Sequence, residues 1–403
     1  MALVVEDIIS LRSGSAPTNL ELIRDMTLGQ DVWLRRFTAH YLDQYLPSGG
    51  SKVKVLIGQE GSGKTHLLRF IQQAASERQY TTVFLSAKTA GPKLCDVPNL
   101  YRLVAGAIDF DRLVTGLSQR VAESLGYGLT IYDGVKKLLP YVVEEGYGAP
   151  DSAREIRIAT ARMLKNADLS PTCFTSVFTL LKDRLITDDP EGRRTAMKWL
   201  RGDKLDRFEK RDSGLFETLQ KTTARRWLDS LLKLLVLSGQ QGLVVLIDDL
   251  DILYEKSSDT NRFSYTPANI KDTYELFRQL IDDTDQLKNF MLVLAGRRSL
   301  LDDDRRGFKS YEALWMRLQT GLVPSGRFNP LCDVVDVDDH LKALGDDFPI
   351  RLSSHLRTVF NQYGLRKRPK EQSFDNMPSL ALKSVVINSV YSSDEGDPEI
   401  SYE

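Results

Sequence analysis

A run of β-branched and apolar residues that passes directly into a glycine-rich loop constrains this chain more than any other feature. Residues 53–57 (VKVLI) predict a strand, and residues 58–65 complete the pattern G-x-x-x-x-G-K-T. Glycines let backbone N–H groups converge on phosphate oxygens, Lys64 adds positive charge at the β- and γ-phosphates, and the Thr65 hydroxyl is a ligand for Mg²⁺. Residues 66–75 have the apolar spacing of a helix whose N-terminus would face the same phosphates. The predicted site for ATP and Mg²⁺ comprises Gly58, Gln59, Glu60, Gly61, Ser62, Gly63, Lys64, Thr65 and His66.

Length and composition limit the number of domains and the classes of protein to which the chain can belong. Its 403 residues, 42% of them hydrophobic, suffice for a nucleotide-binding domain and one or two further units. The formal net charge of −1 provides no general basic field, so any contact with DNA needs a local patch. Cys95, Cys173 and Cys332 lack the spacing of metal ligands, and the sequence contains no long apolar span. We therefore expect a cytoplasmic protein without a membrane segment.

A second apolar run ends in carboxylates, as the partner of a phosphate-binding loop should. Residues 243–247 (LVVLI) predict a strand buried on both faces of a parallel sheet, and Asp248 follows at the edge where ligands collect. Asp248 is the predicted Walker B aspartate, which holds Mg²⁺. Asp249 occupies the position at which many ATPases of the additional-strand class place a glutamate that polarises the attacking water. Because the Asp249 side chain is one methylene shorter than that of glutamate, slow hydrolysis of ATP is an open alternative. Asp251 is expected to be a solvated surface carboxylate, with contact to Mg²⁺ or to a neighbouring subunit as the alternative.

Arginines that follow later strands are candidates for contacts with the γ-phosphate. Residues 289–296 predict another buried strand, and Arg297 follows it at the sensor position of AAA+ ATPases. Arg317 and Arg327 precede the segment 332–337, which predicts the last core strand. AAA+ proteins commonly carry in this region the arginine finger that completes a neighbouring subunit's site, although a surface salt bridge is the ordinary alternative. The candidate catalytic residues are Lys64, Asp249, Arg317 and Arg327.

The distance between the two motifs predicts a large insertion. About 180 residues separate Lys64 from Asp248, more than an ATPase core needs. A strand at 82–86 is expected beside the strand at 53–57. Helical spacing follows at 101–125, 132–145, 152–166 and 174–185. The charges of 188–213 are mixed in sign and predict a solvated face or a linker rather than a nucleic-acid-binding arm, while Trp199 is expected to pack in a core.

The predicted fold is therefore α/β, a P-loop NTPase of the AAA+ or additional-strand class with a parallel sheet flanked by helices. A large α-helical insertion and a small C-terminal helical lid complete it. The predicted divisions are the core at 1–95 and 226–337, the insertion at 96–225, the lid at 338–385 and a disordered acidic tail at 386–403.

The order of these motifs resembles that of the BrxD-like ATP-binding proteins of BREX bacteriophage-defence systems, a group placed near the Orc/Cdc6 branch of the AAA+ ATPases. The resemblance runs across most of the chain. Further similar segments lie at 8–17, 26–30, 199–202, 242–248, 305–314 and 317–318. The usual Walker B pair of that family is Asp-Glu, so Asp249 departs from it.

The resemblance implies a bacterial or archaeal defence ATPase that engages DNA and works beside a helicase or other defence proteins. It also implies that the N-terminal segment 1–30 wraps the nucleotide, with residues 12–17 around the adenine, and that the residues after Val337 form the lid. The paired motifs and the candidate finger arginines point to a homo-oligomer. Two alternatives stay open. One is a nucleotide switch of the STAND type that hydrolyses little ATP and offers the helical insertion as a docking platform. The other is a matchmaker that loads a helicase.

Overall fold

A parallel sheet of five strands forms the centre of the protein. The structure is a computed structural model, which describes residues 4–29, 33–90, 93–144, 148–257, 260–319, 328–363 and 381–390. The strands are β1 (Ser51–Ile57), β2 (Thr81–Ser86), β3 (Leu243–Asp248), β4 (Phe290–Gly296) and β5 (Val334–Asp336). Their order across the sheet is β2-β3-β4-β1-β5, so β4 lies between β1 and β3. The sheet confirms the predicted α/β class.

The position of β2 differs from the prediction. The sequence predicts this strand beside β1, but β2 pairs with β3, from Thr81 opposite Leu243 to Ser86 opposite Asp248. All seven residues of β4 are buried, whereas only one of the six residues of β2 is. A strand that is buried on both faces suits the interior of a parallel sheet, and a more exposed strand suits its edge. β4 therefore takes the place beside β1.

Helices cover both faces of the sheet. They are α1 (Val5–Arg12), α2 (Leu20–Met26), α3 (Leu34–Phe37), α4 (Lys64–Glu77), α5 (Val97–Ala107), α6 (Phe110–Ser124), α7 (Leu139–Glu144), α8 (Ala149–Asn166), α9 (Pro171–Leu185), α10 (Pro190–Leu200), α11 (Arg207–Ser213), α12 (Ala224–Leu237), α13 (Pro267–Asp282), α14 (Ser299–Asp302), α15 (Glu312–Gln319), α16 (Val337–Ala343), α17 (Phe348–Gln362) and α18 (Ala381–Val390). Among these described helices, none is both long and apolar enough to span a bilayer.

Local capping chemistry sets several helix boundaries. Ser170, Asp189 and Thr266 each accept a hydrogen bond from the backbone N–H three residues later, and each precedes a proline in the first helical turn. The predicted helix at 101–125 is divided because Asp109 caps the start of α6. The first half of the predicted helix at 132–145 is a loop, in which the Asp133 carboxylate accepts backbone N–H groups before α7 begins.

Alternate residues of β3 face two different cores. Leu243, Val245 and Ile247 join a core that continues into α5–α10 and α12, and Val244 and Leu246 join a core formed with α4. The helices α5–α11 fall within the range predicted for the insertion. As predicted, Trp199 packs in the core; it is 2% exposed, and its ring lies 4.0 Å from that of Trp227.

A third core joins helices from the two ends of the described chain. Leu11 and Leu22 of α1 and α2 pack with Leu356 of α17 and Val385 of α18. These helices stand next to the glycine loop, since a Cβ atom on Gly63 would lie 3.9 Å from Leu382. The N-terminal segment and the predicted lid therefore form one wall beside the loop.

Candidate nucleotide-binding site

The loop between β1 and α4 has a backbone that favours glycine. Gly61 and Gly63 have φ angles of 79° and 90°, in the left-handed region that other residues adopt at a cost. At Gly58 a Cβ atom would lie 2.7 Å from the Oγ atom of buried Ser62. The Gln59 N–H donates to Asp338 of α16 at 2.9 Å. The glycine pattern is thus a requirement of the folded loop.

Lys64 lies over the loop at the first position of α4. Its Nζ donates to the carbonyl oxygens of Gly58 (3.0 Å) and Gln59 (2.7 Å). Burial lowers the pKa of Lys64, and the nearby carboxylates of Asp251 and Asp248 oppose this effect. An anion bound in the loop would give this half-buried ammonium group the charged partner that favours its protonated form.

The two predicted magnesium ligands are in direct contact. The Thr65 hydroxyl donates to Asp248 Oδ2 at 2.6 Å, although 183 positions separate the residues. Asp248 is 6% exposed, and burial raises its pKa. Its Oδ1 atom accepts the N–H of Asp249 at 2.8 Å. A hydroxyl and a carboxylate are hard oxygen donors of the kind that Mg²⁺ prefers, so this pair fits the predicted ion.

Asp249 is held by two residues that sequence reasoning missed. Its backbone is left-handed, with φ of 60°, and its carboxylate accepts from Ser86 Oγ at 2.6 Å. Lys88 Nζ lies 3.3 Å from the other carboxylate oxygen. Ser86 ends β2 and lies opposite Asp248 in the sheet. Had the sequence prediction placed β2 beside β3, Ser86 and Lys88 would have been expected next to Asp249.

Asp251 is buried, so the prediction of a solvated surface carboxylate is wrong. It is 7% exposed, and its Oδ1 accepts from the Arg297 N–H at 2.6 Å and from the Tyr254 hydroxyl at 2.7 Å. The short 3₁₀ turn Leu250–Leu253 carries this side chain under the end of β4. Asp251 therefore joins the ends of β3 and β4.

Arg297 contacts the glycine loop. Its guanidinium donates to Glu60 Oε2 at 2.6 Å and to Glu255 Oε1 at 2.7 Å. The arginine thus connects the end of β4, the loop and the segment after β3. The structure places this predicted site residue beside Lys64 and the paired aspartates.

His66 connects α4 to the N-terminal segment. The Thr27 hydroxyl donates to the carbonyl of Ile23 at 2.7 Å, and His66 Nε2 lies 2.8 Å from the same hydroxyl oxygen. The imidazole therefore donates its Nε2–H to Thr27. Burial lowers the pKa of His66 to about 4, so the ring is neutral at pH 7.

A cavity of about 500 Å³ opens at the loop and has two unlike sides. The charged side consists of residues 60–66 with Lys88, Asp248, Asp249, Asp251 and Arg297. The apolar side includes Leu28, Trp33, Leu341, Leu344, Phe348, Leu352, Leu356, Leu382 and Val386, and residues 14–17 and Lys383 are also in the lining. A concave site with clustered polar groups on one side and apolar walls on the other suits a ligand of mixed character, such as a nucleotide.

Arg317, one of the two candidate finger arginines, does not line this cavity. Arg317 donates through Nη2 to Asp282 at 2.7 Å and through Nη1 to the Ala313 carbonyl at 2.7 Å. Arg327 lies outside the described residues. Within one subunit the structure therefore does not bring Arg317 to the loop.

The parallel sheet, the glycine loop and the contact between Thr65 and Asp248 are compatible with a P-loop NTPase. The family model of the BREX system ATP-binding protein BrxC/D matches residues 5–383. The chain belongs to this family, which confirms the resemblance drawn from the order of its motifs and associates the chain with ATP binding in bacteriophage defence. No curated protein and no solved structure matches the chain.

Proposed function

We propose that this chain binds ATP with Mg²⁺ at the glycine loop and hydrolyses it, as an AAA+ ATPase of the additional-strand class. The observation that carries the proposal is the hydrogen bond between Thr65 and Asp248, because it joins the two motifs that a metal–phosphate complex needs. The strand order supports the class, since β4 stands between the loop strand β1 and the carboxylate strand β3.

Each residue of the charged side has a role in this proposal. The N–H groups of residues 58–65 and the Lys64 ammonium hold the β- and γ-phosphates. Thr65 and Asp248 hold the magnesium ion, which when bound neutralises phosphate charge. Asp249 accepts the proton of the attacking water and orients it. Arg297 contacts the γ-phosphate, for which it must leave Glu60.

Replacement of the carboxylate at the centre of this arrangement tests hydrolysis. Asp248→Asn is nearly isosteric but removes the charge that holds the ion, so we expect the turnover of ATP to fall about 100-fold or more. The matched control is Asp203→Asn, an exposed carboxylate in the helical region. Phosphate release is measured at saturating ATP and Mg²⁺. Absence of turnover in the wild type, or full turnover in Asp248→Asn, would contradict the proposal.

A nucleotide switch is the second candidate, and the surroundings of Asp249 favour it. Ser86 and Lys88 occupy one carboxylate oxygen each, which leaves the group less able to accept a proton from water. In a switch, ATP stays bound, and Ser86 and Lys88 keep their contacts with the Asp249 carboxylate. Asp249→Glu and Lys88→Ala separate the candidates, because a large gain of turnover in either variant would indicate a wild-type site that retains ATP.

Assembly and partners belong to the same proposal. We propose that the protein acts in the cytoplasm as a homo-oligomer, with Arg317 or Arg327 completing a neighbour's site, and that it acts on DNA beside a helicase or other defence proteins. The division into core, helical insertion and lid, with residues 12–17 around the adenine, is part of it. Light scattering with and without ATP tests assembly, and a strict monomer in both conditions would exclude a finger role for either arginine.

A further inference from the structure

Helix α11 is a surface helix flanked by exposed aromatic rings. None of its seven residues is buried. Phe208, within the helix, is 69% exposed, and Phe216, just after it, is 67% exposed; no other aromatic side chain in the described ranges exceeds 42%. Such rings ordinarily contribute apolar area to a core or an interface. The exposure of one ring on this helix and of the other just after it therefore requires an explanation beyond folding.

The helix is fixed at both ends, although it has no core face. Asp206 and Glu209 form a capping box, with bonds of 2.8 Å from the Glu209 N–H and 2.7 Å from the Asp206 N–H. Glu209 also binds Lys198 of α10 at 2.9 Å. Buried Leu205 and Leu215 hold the chain on either side. Because a helix of this length is marginal alone, these contacts maintain it and present the two rings on a rigid support.

The charges around the rings are more positive than the local composition suggests. Most nearby carboxylates are engaged: Glu209 with Lys198, Glu217 with Arg226 and Asp212 with Arg211. In the part of the chain that the structure describes, four exposed or half-exposed cations have no such partner, namely Arg201, Lys204, Arg207 and Lys210. Asp203 and Asp206 are the carboxylates of this surface that have no cationic partner among the described residues; Asp206 accepts only backbone N–H groups. The mixed sequence of 188–213 thus folds into a surface with unpaired positive charge.

We propose that α11 and its flanks, residues 201–216, bind single-stranded nucleic acid. Phe208 and Phe216 stack on bases, and the four unpaired cations contact phosphates. Single strands suit this surface because their bases offer free faces, whereas the bases of a duplex are already stacked. The guanidinium of Arg211 lies 5.7 Å from the Phe208 ring centre and adds a further planar cation.

Another exposed apolar surface of the helical region provides a contrast. The loop before α7 exposes Leu129, Ile131 and Val135, which are aliphatic and have no face for a base. Rings interspersed with unpaired cations distinguish residues 201–216 from that loop. The inference rests on the proposed action on DNA, to which it assigns a surface, and it requires no property of the ATP site.

The rings are tested by binding of labelled oligonucleotides to the full chain. Fluorescence anisotropy with oligothymidylate, oligouridylate and a DNA duplex separates DNA from RNA and single from double strands. The double variant Phe208→Ala with Phe216→Ala should weaken single-strand binding about tenfold or more. Tryptophan at both positions should preserve binding, and leucine at both should lose it. Binding that survives in the leucine variant would overturn stacking, as would a wild type that binds no single strand.

The cations are tested by the salt dependence of the same binding. Each phosphate contact with a single strand contributes about 0.7 to the slope of log affinity against log salt, so Arg207→Ala with Lys210→Ala should reduce the slope by about 1.4. The matched control removes two exposed cations of α8, Arg154→Ala with Lys165→Ala, and should leave the slope unchanged. An equal reduction in both variants would overturn the assignment to α11.

Failure of this inference can be distinguished from failure of the proposed ATPase. ATP affinity and turnover without nucleic acid should be unchanged in the α11 variants, because their substitutions lie outside the lining of the ATP cavity. Asp248→Asn should lose turnover and still bind the oligonucleotide. If Asp248→Asn loses single-strand binding while the double variant Phe208→Ala with Phe216→Ala binds normally, the oligonucleotide does not bind at residues 201–216.

Discussion

The charged side of the cavity is built from short stretches of sequence at the ends of neighbouring strands, whereas the apolar side draws on segments more than 300 residues apart. On the charged side, individual atoms are in hydrogen-bond contact, as in the 2.6 Å bond between Thr65 and Asp248. On the apolar side, Leu352 and Val386 supply area without directed bonds. Directed contacts fail when a single atom is removed, while apolar contacts lose affinity in proportion to area. The two sides should therefore respond differently to substitution.

The largest effect is expected from Lys64→Ala on the charged side. Removal of the ammonium group takes away the charge that, in the proposed function, stabilises the β- and γ-phosphates, so kcat/KM for ATP should fall about 100-fold or more. The matched control is Lys271→Ala, which removes an exposed lysine of α13. Turnover and binding of inorganic triphosphate are measured in parallel. If Lys64→Ala retains its affinity for triphosphate, the charged side does not hold phosphates.

A glycine pair separates backbone strain from loss of the phosphate site. Gly63 and Gly126 have φ angles of 90° and 93°, and a Cβ atom would meet no close atom at either position. Alanine should lower the free energy of unfolding by about 1 kcal/mol at both. Because Gly63 belongs to the loop, Gly63→Ala alone should also weaken ATP binding, roughly tenfold. Denaturant unfolding and ATP titration are measured for both variants. Equal ATP affinities of Gly63→Ala and Gly126→Ala would show that ATP binding does not require the left-handed backbone at Gly63.

The histidine between the two sides should make stability fall in acid. The pKa of His66 is lowered to about 4 in the folded protein from an ordinary value near 6.5, so the unfolded chain binds the proton more readily. Its contribution is constant well above pH 6.5, and stability falls as pH decreases from 6.5 toward 4, by about 3 kcal/mol. Urea unfolding across this range should show a smaller decrease for His66→Gln. If the free energy of unfolding depends on pH in the same way in the wild type and in His66→Gln, the loss of stability in acid does not come from His66.

The smallest effect is expected on the apolar side. Leu352→Ala removes apolar area from the lining, which should cost about 1 kcal/mol of ATP affinity, or about fivefold. Binding of inorganic triphosphate should not change, since that ligand has no base. Competition titrations with ATP and triphosphate test this difference. An equal loss of affinity for ATP and for triphosphate would show that the apolar side does not bind the base separately from the phosphates.

The same contrast explains what the sequence could predict. Lys64, Thr65 and Asp248 were identifiable because a phosphate loop and a buried strand ending in carboxylates are local patterns. Ser86 and Lys88 were missed because their role depends on β2 lying beside β3, a matter of strand order. The burial of Asp251 depends on a turn that folds it under β4. The apolar side arises from tertiary contacts between distant helices, for which no local pattern exists.

The packing of α1 and α2 against α17 and α18 has a consequence for the synthesis of the protein. The first two helices leave the ribosome early, but the leucines that Leu11 and Leu22 must contact follow more than 300 residues later. Until residue 386 has emerged, the glycine loop can fold while the apolar side is still incomplete. A nascent or prematurely terminated chain could hold phosphates but would lack a closed pocket for a base. Full nucleotide affinity therefore reports that translation has passed this point.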